Sequence, residues 1–308
     1  MILVTGSLAY DIIMNFPGKF SDSILPEKIH MLNVSFLVDK LIKNKGGTAG
    51  NIAYSLALLD TPVSILAAAG NDFFEYDSFL KKVGVDTSKV SINKDDMTAL
   101  AFITTDQSDN QITGFYPGAM NGSESLSVTK SDFVVISPDN PVAMIKHAKE
   151  CQALKIPYMF DPGMQLPRLT DEDLKVAISG AEILIGNDYE MNLLKSRLWM
   201  EDVDLLKQVK IVITTMGEKG AEILSKEGKV VITVAKPNSV SDPTGAGDAF
   251  RSGFLAGYMR KFSLKTCGQM GAVASCYTVE KYGTTTHSFT IPEFCKRYED
   301  NFKEKINL

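Results

Sequence analysis

DPTGAGDAF, running from Asp242 to Phe250, sets an anion cradle beside an acid. Gly245, Ala246 and Gly247 are small enough for backbone N–H groups to turn toward a ligand. The residues that follow, AFRSGFLAGYM, have the pattern of a helix, whose N-terminus favours a phosphate. Asp248 lies at the mouth of that helix, where the partial positive charge favours its ionised form. There it can accept a proton from a hydroxyl placed beside the phosphate. The pairing points to phosphoryl transfer to an alcohol. The competing reading is a glycine turn followed by an N-capping aspartate, which needs no ligand. Two Gly, a Thr, two Asp and a Pro in one turn weigh against it.

Working outward, short β-branched or apolar runs alternate with helical patterns. Strands are expected at 2–7, 63–69, 132–137, 157–161, 182–187 and 210–216, with helices at 47–59, 141–154 and 188–197. This rhythm predicts βαβ units in an α/β fold with a doubly wound, mainly parallel sheet. Ligands then bind beyond the carboxyl ends of the strands, here Gly6-Ser7, Asp161, Asn187 and Thr215. A hairpin, AEILS then KVVITV, precedes the DPTGAGDAF helix. Residues 11–45 and roughly 96–119 break the rhythm with strand-like MNFPGKF, NVSFLVD, ALAFITTD and QITGFYPGAM. They are read either as two excursions pairing into a small separate sheet or as edge strands of the main one.

Composition narrows the function. With 308 residues and 44% apolar content, the chain can bury a large core, as one large domain or two smaller ones. A net charge of −5 offers no basic field for a nucleic-acid backbone, so no nucleic-acid partner is expected. No signal-like segment and no apolar run near the ~20 residues of a membrane span are evident, so a cytoplasmic protein without a membrane partner is expected. Cys151, Cys267, Cys276 and Cys295 show no CxxC spacing and the three histidines are scattered, so zinc is not expected. GxxxxGK[ST] is absent, and GSLAYD after the first strand lacks the GxGxxG spacing of a nicotinamide fold.

A second motif, GGTAGNIAYSLALLD from Gly46 to Asp60, is followed by VSILAAAG and then Asn71 and Asp72. Together with DPTGAGDAF, it resembles the paired signature of the ribokinase-like, or PfkB-type, carbohydrate and nucleoside kinases. The resemblance spans the chain and implies one ribokinase-like kinase domain over residues 1–308. It also implies a small β lid formed by insertions at approximately 11–45 and 96–119.

Under that resemblance, Gly245 to Gly247 form the anion hole and Asp248 is the catalytic base. NDYE, from Asn187 to Glu190, is by spacing either an Asn N-cap with Glu three residues on or a face that can hold a hydrated Mg²⁺. The family's NxxE motif favours the second, making Asn187 and Glu190 the metal site. Thr215, Gly217 and Gly220 in TTMGEKG resemble the family's TxGxxG approach to ATP phosphates, with the adenine base near Ala272, Ser275 and Gly283. Arg251 can reach a phosphate or stand as a solvated helix arginine. For the acceptor, Asp11 can take hydrogen bonds from vicinal hydroxyls, Gly46 and Gly47 permit close approach, and Asn51 can donate or accept.

GSLAYD, FPGKF, LPEKIH, SFLVD, GFYPGAM, DPGMQLPRL and NDYE are similar to bacterial adenosine kinases within the family. On that reading Phe102 and Phe115 offer aromatic faces to a purine, Gln165 meets a base edge, and Ser7, Ser35 and Arg168 add polar contacts. The alternative for the two Phe residues is the lid's own small core. The subfamily carries two adjacent glutamines after its DP dipeptide, whereas Met164 precedes a single Gln165 here. The resemblance implies an adenosine kinase using ATP and Mg²⁺, adds K⁺ as a candidate cofactor, and suggests a homodimer through the lid strands. The alternatives are a kinase for another nucleoside, ribose or fructose, and a ligand-binding regulatory protein without turnover.

Overall fold

The computed structural model describes residues 1–308 apart from Leu32 and Asp109, and the side chains of 27–29 are likewise outside the description. In chain order the strands are β1 (Ile2–Thr5), β2 (Ala9–Asn15), β3 (Lys40–Gly46), β4 (Val63–Gly70), β5 (Asp86–Asn93), β6 (Ala99–Thr105) and β7 (Gln111–Tyr116). They continue with β8 (Phe133–Ile136), β9 (Tyr158–Phe160), β10 (Ile183–Asn187), β11 (Ile211–Thr215), β12 (Ala221–Ser225) and β13 (Gly228–Ile232). Nine of them form a central sheet in the order β13-β12-β11-β10-β9-β8-β1-β4-β5. Its pairs are parallel except β11–β12 and β12–β13, the expected hairpin.

Side chains alternate across this sheet, so each strand feeds two cores. Ile2, Val4, Phe133 and Val135 enter one core, against helices Thr48–Leu58, Ala246–Met259 and Leu264–Val279. Leu3, Val134 and Ile136 enter the other, against Pro141–Leu154, Asp171–Ile178 and Asp188–Leu198. Helices on both faces make the three-layer, doubly wound α/β architecture that the βαβ rhythm implies. β5 was not among the expected strands: DTSKVSIN is polar because it is an edge, paired only with β4.

A separate four-stranded sheet has the order β3-β2-β6-β7, with β2–β6 parallel and the outer pairs antiparallel. NVSFLVD does not contribute to it as a strand. The chain between 33 and 38 is irregular, and KLIKNKG just beyond becomes β3. Phe36 instead closes a three-ring cluster with Phe16 and Phe20, which satisfies its apolar side chain without a ladder. Among the described residues no helix is long and apolar enough to cross a membrane.

Candidate active site

The DPTGAGDAF loop is tied before the helix begins. Asp242 accepts hydrogen bonds from the backbone N–H of Thr244 (2.9 Å) and of Gly283 (3.0 Å), drawing the loop at 281–285 onto it. Gly245 follows at φ +79°, a left-handed conformation that glycine adopts without strain, and caps helix Ala246–Met259. The first-turn N–H groups of a helix have no intrahelical acceptor, so this turn presents donors to an anion.

Asp248 sits in that first turn, and its Oδ2 accepts from Asn51 Nδ2 at 2.8 Å. Thr284 Oγ1 donates to Asn51 Oδ1 at 2.6 Å. Both ends of the Asn51 amide are therefore engaged by protein, which clamps it onto Asp248, and its second N–H stays available for the sugar contact its motif implied. Burial pushes the Asp248 carboxyl up to about 6, with Asp161 and Asp11 adding to the rise and Arg251 and Asn51 opposing it. A carboxyl poised there is matched to proton acceptance near neutral pH.

Arg251, one turn further along the helix, is 6% exposed and so is no solvated helix arginine. Its Nε lies 2.6 Å from Asp161 Oδ2 at the end of β9. Glu190 stands near both, and burial raises its carboxyl above the ordinary value. Asn187 and Glu190 form a reciprocal capping box, Glu190 N–H to Asn187 Oδ1 and Asn187 N–H to Glu190 Oε2, each 2.8 Å. The N-cap arrangement is thus present, and it leaves Glu190 Oε1 outside the cap.

On the acceptor side, Asp11 in β2 lies over the Cα of Gly46, where a side chain would collide with its carboxylate. Burial and Asp242 push the Asp11 carboxyl up to about 6. Ser7 Oγ accepts from Thr48 N–H at 3.1 Å and so holds the start of helix Thr48–Leu58, with Gly47 at φ +85° as the cap residue. Register separates the two phenylalanines. Asp11 pairs with Ala101, and Ala101 with Phe115, so Asp11 and Phe115 share one face of the small sheet. Phe102 pairs with Gly114 and Ile12, and lies on the opposite face. The expectation that both rings offer faces to one purine therefore fails, because neighbours on a strand alternate sides.

Two further expectations meet a different placement. Arg168 lines an open groove of about 670 Å³ with Lys146, Lys149 and Asp173, along the outside of helix Pro141–Leu154, apart from Asp11 and Asp248. Arg168 ends a short 3-10 turn, Gly163–Arg168, so it projects outward while Gln165 in the same turn is buried. Gly283 does not line the cavity that Thr215, Gly217 and Gly220 share with Ala272 and Ser275. It sits against Asn44 and donates to Asp242, holding the loop. Ser35 is exposed in the irregular segment before β3.

That second cavity, about 440 Å³, opens beside the helix start. Ala246 and Gly247 form one wall, Thr215, Gly217 and Gly220 another, and Ala272 and Ser275 a third. Ile232, Val240, Phe250 and Val279 give it an apolar interior suited to a planar ring. Asn187 and Arg251 are not among its lining residues. Sequence reasoning missed Thr284 and left Asp161 as a mere strand end. Thr284 carries no local motif, Asp161 opens the DPGMQLPRL segment without a role attached to it, and only the tertiary structure brings them to Asp248.

A family model described as pfkB family carbohydrate kinase matches residues 4–291. The nucleoside kinase of Methanocaldococcus jannaschii is 32% identical over 302 residues, covering 97% of this chain and 96% of that protein. Its crystal structure superposes with a TM-score of 0.90 over 97% of this chain and 98% of that one. The nucleoside kinase of Burkholderia thailandensis, in complex with inosine, is 33% identical with a TM-score of 0.90, covering 99% of each chain. The Methanothermobacter thermautotrophicus nucleoside kinase is 30% identical, covering 96% of this chain and 95% of that protein.

Proposed function

Because this chain belongs to the pfkB family of carbohydrate kinases, we propose that it transfers the γ-phosphoryl group of ATP to the 5′-hydroxyl of a nucleoside. The acceptor we assign is adenosine, giving AMP in purine salvage. One observation carries the choice of a nucleoside over a free sugar: Asp11 and Phe115 occupy the same sheet face in register. Two strand spacings separate them by about 10 Å. A carboxylate for the ribose diol and an aromatic face for the base thus lie at the separation a nucleoside spans. The Burkholderia relative, in complex with inosine, supports a purine base.

In this reading the 5′-hydroxyl lies between Asp248 and the donors of Gly245, Ala246 and Gly247. As its oxygen attacks phosphorus, its proton passes to Asp248, and the bond from phosphorus to the bridging oxygen of ADP breaks. The first-turn donors and Arg251 meet the charge on the transferred group, in a reaction whose loose transition state rewards positioning and electrostatics. ATP fills the 440 Å³ cavity, its base beside Ala272 and Ser275. Gln165 serves the acceptor base edge, Gly46 and Gly47 admit the sugar, and Ser35 on the irregular segment closes over it as part of a lid made by the small sheet.

Mg²⁺ bound with ATP supplies charge shielding between phosphates. The residues fit it in one mode: no three His, Cys, Asp or Glu side chains among the described residues group to hold a metal, whereas a hydrated Mg²⁺ held mainly by phosphates needs only one or two anionic neighbours. Glu190, with Oε1 outside its cap, is one such anionic neighbour, and the Asn187 amide stands beside it. Glu190→Gln is expected to raise the Mg²⁺ requirement more than the acceptor KM. A K⁺ dependence rests on the family resemblance alone and is read as a difference in turnover between K⁺ and Na⁺ buffers. The edge strand β7, exposed along its length with Ile112 and Tyr116 outward, supports a homodimer through the small sheet. Sedimentation as a monomer refutes that assembly.

The deciding experiment is an ADP-release assay over adenosine, inosine, cytidine, ribose and fructose. Adenosine is expected to give the highest kcat/KM. A preference for ribose overturns the nucleoside reading and leaves the kinase reading in place.

A further inference from the structure

Asp161 and Arg251 form an ion pair deep in the protein, at 2% and 8% side-chain exposure. Two charges removed from water carry a large desolvation cost before they attract, and the cost is recovered only with full hydrogen bonding. This pair lacks it. Asp161 Oδ1 is buried without a hydrogen-bond partner, and the Arg251 Nε contact lacks the alignment of a hydrogen bond although the atoms are 2.6 Å apart. A bidentate fork would bind the carboxylate far better. Instead, the guanidinium is gripped at Nε, while Nη1 runs to the opposite side, where a Cβ on Gly247 would meet it at 2.8 Å. The free end of the fork therefore lies directly under the glycine of the candidate anion hole.

We propose that Asp161 is a positioning residue: it grips Arg251 by one end so that the other end lies beneath Gly247, where the transferred phosphoryl group arrives. The inference rests on the kinase reading above and deepens it, by assigning Asp161 a task and explaining why so poorly satisfied a pair is kept. An arginine released from Asp161 has a second anion to turn to, the Asp248 carboxylate, one helical turn before it on the same helix. Asp161 competes for that guanidinium and leaves the carboxylate free to take the hydroxyl proton.

Opposite consequences follow for the two partners. The groups around Asp248 are Arg251 on its own helix, Asn51 from Thr48–Leu58, Asp11 from β2 and Asp161 from the end of β9. Tyr76 from helix Phe74–Lys82 senses both Asp11 and Asp248, and Glu190 senses Arg251 and Asp161. Arg251 draws the Asp248 carboxyl down and Asp161 pushes it up. Arg251→Gln therefore moves the titration of Asp248 upward from about 6, and Asp161→Asn moves it downward, by removing a negative charge and by releasing the guanidinium.

The test uses Asp161→Asn, Arg251→Gln and Arg251→Lys in the full chain. Asp248 is titrated by carboxyl-carbon NMR in the ligand-free protein, and kcat is followed against pH with adenosine and ATP saturating. Expected are midpoints displaced in opposite directions for Asp161→Asn and Arg251→Gln. For Arg251→Gln, kcat falls by roughly 10²–10³, as for loss of one preorganised charge-stabilising donor. Asp161→Asn lowers kcat by roughly 10-fold or more with little change in adenosine KM, the signature of misplaced rather than missing charge. Arg251→Lys keeps the midpoint near wild type but not the turnover, because an ammonium cannot grip Asp161 and reach Gly247 at once. Midpoints that stay put or move together, or a wild-type kcat in a folded Asp161→Asn protein, overturn the proposal. Since NMR reads Asp248 without turnover, the result stands apart from Asp248→Asn, whose near wild-type activity would sink the base assignment alone.

Discussion

Replacing Asn51 by leucine removes the amide that donates to Asp248 Oδ2 at 2.8 Å and keeps the volume of a side chain 6% exposed. Thr284 is not orphaned, because its hydroxyl also lies 3.1 Å from the Lys45 carbonyl. A hydrogen bond to a charged group is worth about 1.5–3 kcal/mol, and about 1.4 kcal/mol corresponds to one pH unit. The ionised form of Asp248 therefore loses about 1–2 pH units of support, and its titration moves from about 6 toward about 7–8. At pH 7 the ionised fraction drops from about nine-tenths to between about one-half and one-tenth, a roughly 2–10-fold loss of kcat that is recovered at pH 9. The assay is kcat against pH with adenosine saturating, so that Asp11 is occupied by acceptor hydroxyls and does not add its own limb. An acid limb that stays near 6 while adenosine KM rises tenfold would refute the clamp and return Asn51 to the sugar contact its motif implies.

Asp248→Asn is expected to leave folding and adenosine binding intact while kcat falls by ~10²–10⁴, the usual cost of removing a general base; a circular-dichroism melt and a binding isotherm beside the rate check it. Asp11 is raised in the folded state from 3.8 to about 6, so the folded protein holds its proton more tightly than the unfolded chain. The stability this contributes is present below about 4 and lost as pH rises through about 6. Asp11→Asn should accordingly raise Tm at pH 8, by up to roughly 3 kcal/mol of stability, by about half as much at pH 5, leave it nearly unchanged near pH 3, and abolish acceptor binding; an equal or lower Tm at pH 8 contradicts it. Phe115→Ala is expected to weaken adenosine binding by ~1–3 kcal/mol, about 5–150-fold, with ATP binding unaffected. Phe102→Ala, on the other sheet face, should leave adenosine affinity within assay error, and calorimetry of both variants decides between them.

Much of this molecule is legible in the linear chain because the deciding physics is local. The alternation of VSILAAAG with GGTAGNIAYSLALL encodes a strand buried on both faces and a helix that covers it, and DPTGAGDAF encodes a left-handed glycine and a helix start within a few residues. NDYE contains its own capping box, complete within four residues. Where local pattern had two solutions, it misled. NVSFLVD alternates like a strand, but Phe36 finds its partners in Phe16 and Phe20, and the ladder forms at KLIKNKG instead.

By itself the sequence determined the α/β class, the signature helix with Asp248 in its first turn, the glycine-rich turn that opens it and the acidic residue at Asp11. Only the tertiary structure decided which phenylalanine shares Asp11's face, that Asn51 is held by Asp248 and Thr284, and that Arg251 is buried against Asp161. The reason is the range of each interaction. Helix starts and turns depend on neighbours a few residues apart. A sheet face depends on register, where Ala101 must meet both Asp11 and Phe115, and the contact between Asn51 and Asp248 closes a loop of most of the chain. Such contacts leave no spacing to read, because they exist only once the two motifs have been folded onto the same edge of the central sheet.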